Sequence, residues 1–182
     1  MRFTTVRANI DLSKVTVNAR TGEFNPTSLA HVVNTDVVNE LVVRTWLDRA
    51  CECGIPPHIE QNTYQTNAAD RKSTLVFCVN LAHVAKLTAA FRTAGVDARY
   101  LHAKTPAAER KALVDAFRAG QYPVLVNCGM VLSDVEKPES LTCEAAVLTE
   151  GADVPNIDCV LVARPTRSRN VFAQMVWQSP CV

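Results

Sequence analysis

A short polar string, Thr149-Glu-Gly-Ala-Asp153, combines three groups that suit a phosphate or a ribose. The Thr149 hydroxyl can donate a hydrogen bond, Gly151 has no side chain to block a close approach to the backbone, and the Asp153 carboxylate can accept from hydroxyls. A tight polar turn is the commoner explanation of such a string when it stands alone. The string therefore indicates chemistry only if the surrounding elements place it at a ligand site.

Other catalytic and ligand-binding patterns are missing from the sequence. It contains no G-x-x-x-x-G-K-[ST] phosphate loop and no G-x-G-x-x-G after a strand. The 4 histidines lie far apart in no legible Ser-His-Asp order, and His83 and His102 are expected to be structural or solvent-facing. Cys51 and Cys53 form a C-x-C pair without the further ligands that a zinc site needs. An independent enzyme is hard to build from these residues.

The composition is that of an ordinary globular domain. The 182 residues, 48% of them apolar, suffice for one domain with a sizeable core. A net charge of +1 provides no general field for nucleic acid or membranes, so any such binding must come from a local patch. No apolar run approaches the length that spans a bilayer. Cys78, Cys128 and Cys159 lie in apolar runs and are expected to be small hydrophobic residues in a reducing compartment.

The patterning from residue 73 onward predicts alternating strands and helices. Strands are expected at Ser73–Val79, Val96–Leu101, Val124–Cys128 and Asp158–Ala163. Helices are expected after the capping residues Asn80, Thr105 and Ser168, and an earlier helix, capped by Thr35 or Asp36, is expected to run to about Arg49. Residues 2–18 favour one or two extended pieces. This rhythm predicts a parallel α/β sheet, in which ligands bind at the carboxyl ends of the strands.

Two polar stretches, 53–70 and 130–146, interrupt this alternation of strands and helices, and their apolar residues show neither a helical nor a strand spacing. Structureless stretches of such length are uncommon inside a compact domain. We interpret both, together with the tail after Val176, as products of unspliced introns or a faulty gene model. Genuine inserted loops are the alternative interpretation.

Five segments follow one another in an order typical of a known family: Leu75–Asn80, Leu101–Arg110, Ala116–Gly120, Val124–Asn127 and Leu148–Pro155. This order resembles the C-terminal, second RecA-like domain of superfamily 2 nucleic-acid helicases over about Ser73–Val176. The amino-acid sequence of residues 149–158 and of Arg164-Pro-Thr-Arg167 is most similar to that of fungal mitochondrial DEAD/DEAH-type helicases related to branched-DNA translocases. The resemblance implies a RecA-like parallel sheet flanked by helices over residues 35–182, incomplete at its C-terminus. Residues 1–34 would join the two helicase lobes.

The resemblance also implies roles for residues at the strand ends. Val79 and Asn80 match motif IV, whose strand end approaches the nucleic-acid backbone. Arg164 and Arg167 are candidate phosphate contacts, although a solvated surface arginine is the commoner explanation for either alone.

Motif V of the family matches Thr149, Gly151 and Asp153. The resemblance implies that Thr149 touches a phosphate of the bound strand, while Gly151 and Asp153 face a nucleotide between the lobes. ATP with Mg²⁺ is the implied cofactor, bound only with a complete first lobe. The implied partners are a DNA or RNA strand and an N-terminal helicase lobe, with no membrane. A mitochondrial location rests on the resemblance alone, since no amphipathic Arg-rich presequence is present.

The sequence departs from the family pattern at motif VI, which would contain Gln-x-x-Gly-Arg-x-x-Arg. Gln174 matches the first position, but Trp177 replaces the glycine, and Gln178 and Cys181 replace the two arginines. An arginine finger contributes about 10³–10⁵-fold to the rate of hydrolysis. We therefore expect no nucleic-acid-stimulated ATP hydrolysis by the purified chain alone, and measurable turnover in a coupled ATPase assay would contradict this. The alternatives are a non-catalytic nucleic-acid-binding fragment and an inactive mis-spliced product.

Overall fold

The computed structural model describes residue 6 and residues 8–50, 73–102, 105–128 and 157–176. Its sheet contains four strands in the order β2-β3-β1-β4, and every pair is parallel. The strands are β1 (Thr74–Phe77), β2 (Ala98–Leu101), β3 (Val124–Asn127) and β4 (Cys159–Val162). The predicted parallel α/β sheet is confirmed, and each strand lies within the segment predicted for it.

Helices cover both faces of the sheet. The described helices are the short 3₁₀ helix η1 (Leu12–Lys14) and the α-helices α1 (Pro26–Val33), α2 (Asp36–Ala50), α3 (Leu81–Thr93), α4 (Ala107–Arg118) and α5 (Arg169–Val176). Successive strand residues point to opposite faces. On β1, Val76 packs with α2 and α3, whereas Leu75 and Phe77 pack with α4 and α5. All four residues of β1 are buried, as are all four of β3, because the sheet is covered on both sides.

The first of these cores joins α2 and α3 to the sheet through Trp46 and Phe91. Their rings meet edge to face, with centroids 5.6 Å apart and an interplanar angle of 84°. The indole N–H of Trp46 donates a hydrogen bond of 3.0 Å to Thr74 Oγ1 at the beginning of β1. This contact satisfies two buried polar groups and places the second half of α2 near the amino ends of the strands.

Local capping explains where several helices begin. Asn80 Oδ1 accepts a hydrogen bond of 2.9 Å from the His83 N–H and caps α3, and Ser168 Oγ accepts one of 3.3 Å from the Val171 N–H at the start of α5. Thr35 Oγ1 accepts from the Val38 N–H at 3.3 Å, at the start of α2. These three caps agree with the sequence prediction.

The structure corrects the prediction in the N-terminal region. Within residues 8–18 the expected extended pieces are absent apart from one bridge between Val17 and Phe24, and the 3₁₀ turn η1 lies there instead. Asp11 stabilises this turn by accepting from the Ser13 N–H at 3.0 Å. Helix α1 was not predicted, and buried Leu29 and Val33 on it form a third apolar cluster with Val15 and Val79. The proposed division of the chain near residue 34 stays a prediction.

Thr105 does not cap α4 as expected. The helix begins at Ala107 after Pro106, which makes no side-chain capping bond. The Thr105 hydroxyl instead accepts from the backbone N–H of His102 at 3.2 Å, which closes the turn between β2 and α4. The Thr105 hydroxyl is therefore used for this local hydrogen bond instead of capping α4.

The described cysteines behave largely as small hydrophobic residues. Cys78 and Cys128 are buried, Cys159 is partly buried, and none of the three forms a disulfide. Burial raises the pKa of the Cys78 thiol, which keeps it protonated and unreactive. Among the described residues, no cluster of His, Cys, Asp and Glu could hold a metal ion, and no helix has the length and apolar character needed to cross a bilayer.

Candidate nucleic-acid interface

The carboxyl ends of the two neighbouring strands β1 and β4 bring four candidate residues to one edge of the sheet. Phe77 and Val162, the last residues of these strands, lie opposite each other, and the Ala163 N–H donates to the Phe77 carbonyl at 3.0 Å. The chain then continues into Val79-Asn80 on one side and Arg164-Pro-Thr-Arg167 on the other. We call this side the carboxyl edge.

Val79 and Asn80 form a turn that hydrogen bonds connect to Cys128, directly after β3, and to the first turn of α3. The Val79 side chain is buried, and its backbone carbonyl accepts a weak hydrogen bond of 3.7 Å from Cys128 Sγ. Asn80 is half-buried, and its side-chain oxygen is engaged in capping α3. The turn is therefore fixed to both β3 and α3, which suits a rigid support for a ligand at the edge.

A buried polar network behind this turn links α2, α3 and β1. The Val79 N–H donates to His83 Nδ1 at 3.3 Å, and His83 Nε2 lies 3.1 Å from Asn39 Oδ1. Asn39 in turn donates its amide to Asn34 Oδ1 at 3.0 Å. Since Nδ1 accepts, the ring proton must be on Nε2, where it donates to Asn39. The structure confirms that His83 is structural.

Burial sets the protonation state of this histidine. His83 is fully buried, and the loss of solvent lowers its pKa to about 4. The ring is therefore neutral near pH 7, as the network requires. Sequence reasoning missed Asn39 as its partner because no local pattern connects two residues on different helices.

The two arginines differ in exposure. Arg167 is exposed, and its guanidinium carbon lies 5.9 Å from the centre of the Phe24 ring. Arg164 is only 5% exposed and lines a cavity of about 320 Å³ between α2, β4 and the residues Val6, Ala8 and Ile10. The interpretation as a solvated surface arginine is therefore wrong for Arg164. A phosphate contact by either arginine stays a prediction.

Glu23 holds the backbone around Arg167, and the sequence offered no sign of this role. Its carboxylate accepts hydrogen bonds from the Thr166 hydroxyl and from the backbone N–H groups of Arg167 (3.1 Å) and Ser168 (3.2 Å). The Phe24 N–H donates a further one at 2.9 Å. Partial burial raises the pKa of Glu23, but these hydrogen bonds outweigh it and the pKa lies below its ordinary value. Glu23 is therefore an anion near neutral pH.

The candidate residues of motif V, Thr149, Gly151 and Asp153, lie outside the described residues. The two polar stretches and the residues that replace motif VI after Val176 also lie outside them. Their assigned roles stay predictions.

Comparisons with known proteins identify the family. Residues 57–177 match the model of the helicase conserved C-terminal domain. The chain is 33% identical over 175 residues to the Saccharomyces cerevisiae protein IRC3, and 46% identical over 110 residues to irc3 of Schizosaccharomyces pombe. Both names describe ATP-dependent helicases, and the second describes a mitochondrial one. The matches cover 96% and 60% of this chain but only 20% and 15% of those relatives.

A solved structure resembles the chain more distantly. It is the helicase domain of Pyrococcus furiosus Hef, 18% identical, with a TM-score of 0.46, covering 80% of this chain and 23% of that one. The family assignment rests instead on the match over residues 57–177, with which the parallel sheet and its flanking helices agree. This chain belongs to the family of the helicase conserved C-terminal domain.

Proposed function

We propose that this chain is the second lobe of an ATP-dependent nucleic-acid helicase, and that its carboxyl edge forms one side of a groove for a single strand. The observation that carries the proposal is that Asn80 and exposed Arg167 both follow the carboxyl ends of adjacent parallel strands. Parallel sheets bind ligands at this edge. The family match and the names of the relatives support helicase function.

The chemistry of a strand backbone fits this edge. Phosphates dominate the affinity of proteins for nucleic acid, and lysine and arginine neutralise them. Since the whole chain carries a net charge of only +1, a local cation such as Arg167 must provide the attraction. Thr149 and Arg164 are proposed as further phosphate contacts, and Val79 as part of the supporting turn.

The second half of the proposal concerns ATP. Gly151 and Asp153 are proposed to face ATP and Mg²⁺ across the cleft from an N-terminal lobe. In the intact parent, ATP closes the two lobes over a DNA or RNA strand and hydrolysis reopens them. The names of both relatives support the use of ATP, and that of the Schizosaccharomyces pombe relative supports a mitochondrial location. Residues 35–182 would form this lobe, and residues 1–34 would lead into it.

Replacing Arg167 with alanine is expected to weaken strand binding about three- to tenfold, since one phosphate contact contributes on the order of 1 kcal/mol. The loss should be similar for different strand sequences. The slope of log K against log salt concentration should become shallower by about 1, because one phosphate contact is lost. Fluorescence anisotropy of the 182-residue chain with labelled oligodeoxythymidylate and oligouridylate at low salt measures both effects.

Arg44→Ala is the matched control. Arg44 is also exposed, but it precedes Trp46 in the half of α2 that lies near the amino ends of the strands. We expect this variant to bind as the unmodified chain does. Equal losses in the two variants, or no binding by the unmodified chain, would contradict the proposed strand site.

A further inference from the structure

We propose that Glu23 is a positioning residue for the strand site, because it fixes the backbone of residues 166–168 and thereby the direction of Arg167. The inference rests on the proposed function, since it assigns a role within the same carboxyl edge. Glu23 itself is not proposed to touch the strand.

Both carboxylate oxygens of Glu23 are used to hold this turn. Oε2 accepts from the Thr166 hydroxyl and the Ser168 N–H, while Oε1 accepts from the Arg167 N–H and the Phe24 N–H. Three consecutive residues after β4 are thus tied to one side chain, more than 140 positions away in the sequence. A charged acceptor makes such bonds stronger than a neutral one would.

Glu23 can act as a support because its own backbone is held. The Asn18 N–H donates to the Glu23 carbonyl at 2.8 Å, and the Asn25 N–H donates to the Thr16 carbonyl at 2.8 Å. The turn between them includes Gly22 with φ of 68°, a conformation that glycine adopts without strain. Residues 16–25 therefore form a small hairpin-like unit that presents the carboxylate from a fixed position.

The same unit also touches the side chain of Arg167. The Phe24 ring lies under its guanidinium group, at 5.9 Å. Glu23 thus fixes the main chain of Arg167, and its neighbour Phe24 limits where the guanidinium can lie. An exposed arginine held in this way loses less conformational freedom when it contacts a phosphate.

Substitution of Glu23 separates positioning from simple electrostatics, because the two effects have opposite signs. Removing a carboxylate near Arg167 makes the edge more positive, so charge alone predicts tighter binding of a polyanion. Loss of positioning predicts weaker binding, because the competent direction of Arg167 is then populated only part of the time. In Glu23→Gln, one of the two oxygens becomes an amide nitrogen that cannot accept a hydrogen bond. Either Thr166 and Ser168 or Arg167 and Phe24 therefore lose their acceptor, depending on how the amide is oriented.

The experiment measures anisotropy of the 182-residue chain with fluorescein-labelled oligodeoxythymidylate. Glu23→Gln is expected to bind about threefold more weakly or worse, if the competent direction falls to a third of the population. In an Arg167→Ala background, the same substitution should cause no further loss, a non-additivity that a general loss of structure would not produce. Glu23→Asp, which keeps the charge, should recover part of the affinity.

Glu40→Gln is the control for charge, because Glu40 is an exposed carboxylate on α2 that pairs with Arg44. It should not weaken binding. Thr166→Val removes the hydroxyl that donates to Glu23 and accepts from the Ser168 N–H, and it is expected to weaken binding in the same direction. This variant covers the case in which Glu23→Gln does not fold. Hydrogen exchange of the Arg167 and Ser168 amides should accelerate in Glu23→Gln without any strand present.

The outcomes separate the inference from the proposed function. Unchanged or tighter binding by Glu23→Gln and Thr166→Val, or additive losses with Arg167→Ala, overturn the inference while the strand site stands. Unchanged amide exchange also overturns it. No binding by the unmodified chain overturns the proposed function, and with it the role assigned to Glu23.

Discussion

Replacing Phe91 with alanine is expected to lower the free energy of unfolding by about 3–5 kcal/mol, the usual cost of removing a large buried aromatic side chain. Phe91 on α3 is fully buried and meets Trp46 edge to face. Its removal leaves a cavity between α2, α3 and the sheet, and the aromatic contact is lost as well. Urea denaturation followed by circular dichroism measures the change.

Phe172 provides the matched control, because it carries the same ring on α5 but is 46% exposed. We expect Phe172→Ala to change the free energy of unfolding by about 1 kcal/mol or less, since exposed positions seldom matter more. A similar decrease in the free energy of unfolding in both variants would contradict the prediction that the buried packing of Phe91 between α2, α3 and the sheet stabilises the chain.

Acidification is expected to destabilise the chain by about 3 kcal/mol through His83 alone, between its ordinary pKa of 6.5 and its lowered pKa of about 4. In this range the unfolded chain binds a proton that the folded chain excludes, so the free energy of unfolding falls as the pH falls. The contribution is complete above pH 6.5 and is lost progressively towards pH 4. Denaturation at several pH values measures the slope.

The variant His83→Gln isolates this contribution. It should flatten the pH dependence between neutral and acidic conditions by about the same amount, while lowering the stability at neutral pH by about 1–3 kcal/mol because the Val79 N–H loses its acceptor. If His83→Gln retains the full slope, other groups cause the acid sensitivity.

The sheet and the positions at its carboxyl edge could be predicted because the relevant signals are local. A continuous apolar run such as Leu75–Cys78 is typical of a strand covered on both faces, and Asn80 directly after it is a strong cap. Parallel strands share one carboxyl edge, so residues that follow two of them must lie near each other if the strands are neighbours. The order of strands along the chain therefore suffices to predict that Asn80 lies at this edge, whereas Arg167 was singled out through the resemblance to the helicase family.

The supports behind that edge could not be predicted in the same way. Glu23 contacts Thr166, and Asn39 contacts His83, across long stretches of sequence with no periodic or spacing signal. Helix α1 is a different case, since Asn25 and Pro26 are a favourable start for a helix. The Val- and Thr-rich residues before it favoured extended structure, whereas the structure has a helix that buries Leu29 and Val33.

The strand order β2-β3-β1-β4 has a consequence for synthesis on the ribosome. Within the described sheet, the first two strands to emerge, β1 and β2, do not pair with each other, and both need β3. Nascent chains fold while they lengthen, so the apolar segment Thr74–Phe77 must wait for some fifty further residues before its hydrogen-bonding groups find a neighbour. During this interval its apolar side chains are exposed and its backbone is unpaired, which makes the segment prone to aggregation.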